Sequence, residues 1–198
     1  AEEFEYKRTT FCDFAVRSLG IDFDQVGINE RDLPRPAKLA AKKTHLDVKV
    51  QIWDSAASLS RAYVRGTRVA ILCFDVNNRQ SLDDALQWYN TVLKEMDSAL
   101  FRGFALLGLK ADGEPVPVYA PSEDIASWPK RTRGREVSRQ EAELIAHKIR
   151  APYCELSTKY SSWDELDKVL TIVAEQYFRK DSVRFSNISD WGCATGLG

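Results

Sequence analysis

Long apolar runs are missing from this chain of 198 residues. No stretch approaches the roughly eighteen residues that span a bilayer. The opening AEEFEYKRTT has none of the marks of a secretory signal. Charge of one sign is missing too. A net charge of −1 supplies no global field to draw the chain onto nucleic acid or an anionic membrane. Cys12, Cys73, Cys154 and Cys193 form neither a CxxC pair nor a metal-ligand spacing, which fits a reducing compartment. Cys73 and Cys154 fall inside apolar runs, as small buried hydrophobes do. Histidine is scarce: His45 and His147 lie far apart and read as surface residues. Cys193 stands five residues before the last residue, so it is no CaaX prenylation site, and no membrane anchor is evident.

What is present is apolar periodicity. At 44% hydrophobic residues the chain can bury the core of one ordinary domain. Asp47 to Asp54, DVKVQIWD, alternates as a half-exposed strand does. Val69 to Phe74 is continuously apolar, the pattern of a strand buried on both faces of a parallel sheet. Phe104 to Leu109 and Tyr153 to Ser157 read as further strands. Leu82, Ala85, Leu86, Tyr89, Val92, Leu93 and Met96 recur at helical spacing, with Ser81 as the expected cap. Ser138 with Glu141, and Ser162 with Glu165, are capping boxes that open two more helices. Strands alternating with such helices predict an α/β fold, a doubly wound and mostly parallel sheet with helices on both faces. The domain is expected over 1–186, with insertions at 29–46 and 113–137 and a tail at 187–198.

The motif order then carries a resemblance. Trp53-Asp54-Ser55-Ala56-Ala57-Ser58 stands where the Rab branch of the Ras-like small GTPases has WDTAGQE, and Tyr63-Val64-Arg65-Gly66-Thr67 where it has YYRGA. Ser18-Leu19-Gly20-Ile21-Asp22-Phe23 resembles TIGxDF, which would run the second strand from Ile21 to about Ile28. Gly108-Leu109-Lys110-Ala111-Asp112 is similar to the family's NKxD segment, and Glu155 to Lys159 to its ExSAK loop. The resemblance implies guanine recognition by Lys110 and Asp112 together with Ser157, Thr158 and Lys159. Asp54, and more remotely Ser18, would stand near magnesium.

The same resemblance exposes what is changed. Nowhere in these residues is there GxxxxGK[ST], the loop whose amides and lysine hold phosphates. Leu109 stands for the asparagine of NKxD, Ala57 for the glycine at the γ-phosphate, and Ser58 for the glutamine that orients water. Each lost charge-assisted hydrogen bond is worth about 1.5–3 kcal/mol, so several together remove many orders of magnitude of affinity. Retained are the aromatic positions that the family turns toward partners, matched here to Phe23, Trp53 and Tyr63. Trp128, in the second insertion, is a further candidate. It is followed by Lys130, Arg131, Arg133 and Arg135, a cluster that suits an acidic protein surface or RNA.

The expectation is a Rab-like pseudo-GTPase without a catalytic residue, resident metal or cofactor, serving as a protein-binding subunit of an assembly. An intracellular setting is expected, whether cytoplasmic, ciliary or organellar. Two alternatives stay open. One is a regulatory GTPase that binds GTP or GDP with magnesium through residues not in this sequence; the other is an RNA-associated subunit. The family places its first strand between the third and fourth. The slot beside Val69 to Phe74 is therefore expected to be filled by residues 3–16, with a partner's strand as the other choice.

Overall fold

The computed structural model describes residues 12–22, 45–55, 61–113 and 134–178. The first two segments form strands β1 (Cys12–Asp22) and β2 (His45–Ser55), an antiparallel pair in register from Cys12 opposite Ser55 to Asp22 opposite His45. Alternation sorts this ladder into two faces. Leu19 opposite Val48 and Ile21 opposite Leu46 point inward, whereas Phe14 opposite Trp53 points out.

Helix α1 (Arg61–Gly66) leads to strand β3 (Val69–Asp75), helix α2 (Arg79–Glu95) and strand β4 (Gly103–Leu109). A 3-10 turn (Ala111–Gly113) follows, then helix α3 (Arg139–Lys148), strand β5 (Tyr153–Leu156) and helix α4 (Trp163–Phe178). Strands β3, β4 and β5 are parallel, in that order. Strand β4 is their centre, and its side chains alternate between two cores. Phe104 and Leu106 join Leu72, Phe74, Tyr89 and Ala146 beneath α2 and α3. Ala105 and Leu107 join Val169 and Val173 of α4 on the other face. Helices therefore cover both faces, as the apolar runs predict. Among the described residues no helix is long and apolar enough to cross a membrane.

Both expected capping boxes set helix starts. Ser138 Oγ accepts the Glu141 amide, and Ser162 exchanges bonds with Glu165 in both directions. The cap of α2 is Asn78 rather than Ser81, its side chain accepting the Gln80 amide. Ser81 Oγ is occupied elsewhere, accepting the Asp75 amide and donating to the Asn78 carbonyl, so it pins the end of β3 to the helix.

The N-terminal strand departs from expectation. It runs Cys12–Asp22, not from Ile21 onward, because this register puts Leu19 and Ile21 on the buried face; a slip of one residue would turn them to water. Residues 12–16 thus form the outer strand of an antiparallel pair and do not fill a slot beside β3, while 3–11 lie outside the described residues. Among the described residues no strand lies between β2 and β3. Strand β3 is accordingly half covered: Leu72 and Phe74 are buried but Cys73 is exposed, against the expectation of a small buried hydrophobe. Its thiol nevertheless lies among crowding neighbours. That crowding, and then the Asp54 carboxylate, push it up to about 11.

Gly108 marks the tightest spot in the parallel sheet. A Cβ there would stand 2.7 Å from Tyr153 Oη and 2.9 Å from Val76 Cγ1. Gly108→Ala is expected to cost about 1–3 kcal/mol, as overpacking of a filled core does, read as a lower urea midpoint with an unchanged slope.

Candidate functional site

The C-terminal ends of parallel strands are where open α/β sheets collect ligand-facing groups. Three of these ends carry polar side chains here. At the end of β3, Asp75 accepts the Asn77 amide at 2.9 Å and its side-chain NH2 at 3.2 Å. Lys110, just past β4 and in the left-handed region at φ 60°, places Nζ 2.8 Å from Asp75 Oδ2. Asn77 closes the knot by donating to the Lys110 carbonyl at 3.1 Å. Partial burial works to raise the Asp75 carboxyl. The bonds from Lys110 and Asn77 outweigh it and hold the group below the usual range. Asp112 is exposed on the following turn.

Beside them, Leu109 pairs with Leu156, which brings the loop after β5 alongside the end of β4. That loop is locked internally. Ser157 O accepts the amides of Tyr160 and Ser161, and Ser161 Oγ accepts the Ser157 amide. The Ser157 hydroxyl is buried at 7% exposure with no hydrogen-bond partner among the described residues. Thr158 and Lys159 are exposed, with Lys159 Nζ 5.1 Å above the Tyr160 ring. Lys110, Asp112, Ser157, Thr158 and Lys159 therefore gather on neighbouring strand ends. Asp54 is exposed near the end of β2, on the separate ladder.

Ser18 does not join them. It lies mid-strand opposite Lys49, while the residue opposite Asp54 is Asp13. Five strand steps separate Ser18 from Asp13, about 16 Å at the usual rise. The strand register thus takes Ser18 away from any magnesium position beside Asp54.

Arg135 also departs from expectation. Grouped by sequence with an exposed basic cluster, it is folded into a fork-to-fork pair with Glu155, at 3.0 and 2.8 Å and only 18% and 10% exposed. Tyr153 Oη donates to the same carboxylate at 2.5 Å. Glu136 and Val137 donate their amides to the Val76 carbonyl. These bonds fasten the return of the second insertion to the sheet. Trp128, Lys130, Arg131 and Arg133 lie outside the described residues.

On the far side of the β1–β2 ladder the rings of Phe14 and Trp53 meet at 4.7 Å between centroids, and each is about half exposed (51% and 52%). Val16, at 52%, extends this apolar face along β1. Phe23 lies outside the described residues. Tyr63 falls within α1, and its side chain is likewise outside them.

Residues 4–179 match the Ras family, which is most of the sequence. The chain belongs to the Ras family. Its relatives are Rab proteins. It is 26% identical to Ras-related protein SEC4 of Candida albicans over 162 residues, covering 76% of this chain and 63% of that protein. It is 28% identical to Ras-related protein Rab-12 of Mus musculus over 158 residues (76% and 51%) and 25% to Ras-related protein Rab-13 of Rattus norvegicus over 197 (97% and 80%). The chain is thus a Rab-like member that spans less than two thirds of the length of SEC4 and Rab-12.

Within this family frame Phe14 faces the tryptophan of the Trp-Asp motif across the ladder. Asp-Phe occurs twice in the sequence, as Asp13-Phe14 and Asp22-Phe23.

The Glu155 pair yields a pH test. Burial would raise this carboxyl, but the bonds and charge of Arg135 and the bond from Tyr153 outweigh it and hold it below its usual range. A depressed carboxyl stabilises the fold fully above its unfolded pKa of about 4.3, and loses that contribution as pH falls through the lower folded value. Glu155→Gln should therefore cost roughly 2–3 kcal/mol at pH 7, where Arg135 is left without its anion. Stability of the variant should also fall less steeply than wild type below about pH 4, measured by urea unfolding across pH.

Proposed function

We propose that this chain acts as a Rab-like pseudo-GTPase, a binding module that engages a protein partner without a nucleotide-driven cycle. The observation that carries this reading is the Phe14–Trp53 pair, two half-exposed aromatics held ring to ring on a ladder that contacts α4 rather than the Lys110 knot. Large aromatics with half their surface in water are typical binding anchors. Their burial by a partner is worth about 25 cal/mol per Å².

A guanine nucleotide fits these residues poorly. Lys110 is tied to Asp75, Leu109 offers no polar atom to the Ser157 hydroxyl, and no phosphate loop is present in the sequence. Asp112 and the Ser157–Lys159 loop are all that favours a base. No hydrolytic step is assigned to any residue, and the partner is inferred to be a protein subunit of an intracellular assembly. The RNA reading is weakened because Arg135 is spent on Glu155.

A second reading has one support: the chain spans 63% of SEC4, which leaves room for phosphate-binding residues beyond it. Calorimetric titration of this chain with GDP and with GTP, each with magnesium, separates the two. No heat of binding up to about 100 μM, a dissociation free energy near 5.5 kcal/mol, is expected. Micromolar affinity would instead establish the nucleotide-binding reading.

The partner face has its own test. Trp53→Ala and Phe14→Ala should each remove a co-purifying partner while far-UV circular dichroism stays unchanged. Loss of the fold in either variant would assign the pair to the core.

A further inference from the structure

The β1–β2 ladder shares no backbone pairing with β3–β5 among the described residues, but it does rest on α4. Two contacts there are described. At one end Ile21 and Leu46 pack against Ala174 and Phe178. Midway along the ladder, Arg17 Nε and Nη2 bond the two oxygens of Asp167 at 2.8 and 2.7 Å, and the guanidinium carbon lies 5.4 Å from the centre of the Trp163 ring. Trp163 and Asp167 are one helical turn apart, so their side chains share a face and grip one guanidinium between them.

We infer that the Arg17–Asp167–Trp163 clamp is the device that holds the Phe14–Trp53 face in place, making α4 the element that controls this surface. Arg17 points to the inner face of β1, while Phe14 and Val16 point to the outer one. A shift of Arg17 toward or away from α4 therefore carries the outer rings with it. Arginine is the residue the geometry requires. Its planar fork meets both carboxylate oxygens while its charge stays within reach of the indole, and a lysine cannot make that fork. The inference rests on the proposed binding role for its biological use, but the clamp itself is testable without any partner.

Hydrogen exchange on the whole chain reads it directly. Arg17→Lys and Asp167→Asn are each expected to speed exchange of β1 and β2 amides about three- to tenfold, leaving the slowest amides of β4 unchanged. The exchanged pair, Arg17→Asp with Asp167→Arg, should recover part of the protection, which a merely local role for either residue would not produce. The Trp53 indole resonance should move in the single variants although no mutated atom touches it. Unchanged exchange in β1 and β2, or equal acceleration in β4, overturns the inference. Loss of partner capture with normal exchange would count against the binding role and not the clamp.

Discussion

Two groups of strands that share no ladder among the described residues meet on one helix, and the arrangement depends on how α4 divides its surface. Val169 and Val173 lie one turn apart and face the parallel strands through Ala105, Leu107 and Leu156. Ala174 and Phe178, again one turn apart, form a neighbouring stripe that faces Ile21 and Leu46. Helical geometry sets these stripes about 100° apart, wide enough for two different surfaces to be covered at once. Burying a large aliphatic or aromatic side chain is worth about 1.5–3 kcal/mol. Each stripe thus contributes several kcal/mol, comparable with the net stability of a small domain. The helix is both part of the core and the joint between its halves.

The chemistry at the strand ends follows from the same layout. Parallel strands finish together, so Asp75, Lys110 and Ser157 arrive as neighbours despite wide separation in sequence. Their pairing then decides what they offer. Lys110 and Asp75 neutralise one another at 2.8 Å, while Asn77 ties both to the start of α2. The buried Ser157 hydroxyl has no partner among the described residues, a state that costs about 1–3 kcal/mol. One polar group is satisfied internally and the other is stranded. Neither arrangement presents a free cation or a converging set of donors to a ligand.

The parallel half was legible because its signals are redundant. Val69 to Phe74 and Phe104 to Leu109 are apolar without interruption, and serine capping boxes mark the starts of α3 and α4, so pattern and punctuation agree. The N-terminal half offered no such agreement. Asp-Phe appears at 13–14 and at 22–23, and what selects between them is register: only one places Leu19 and Ile21 against Val48 and Leu46. Register depends on contact with α4, more than a hundred residues away, and no local pattern reports it. Arg135 was misread for the same reason. In sequence it ends a basic run, but in space it meets Glu155, a partner twenty residues further on that sits on a strand. Long-range pairing, not propensity, decided each of these positions.

These pairings bear on how the aromatic face of a Rab-like frame is held. A surface that switches needs an element with two arrangements of similar free energy and a ligand that prefers one of them. The Phe14–Trp53 face has a different support. Behind it stands an eleven-residue antiparallel ladder, and behind the ladder a helix already committed to the core. The fork between Arg17 and Asp167 fixes distance and orientation together, because two parallel hydrogen bonds tolerate less rotation than one. Among the described residues no group in the Lys110–Asp75–Asn77 knot bonds to the clamp. Coupling requires a physical connection between two states. Here the connection that the bonds describe runs from the aromatic face to α4, so that face takes up its position as the chain folds.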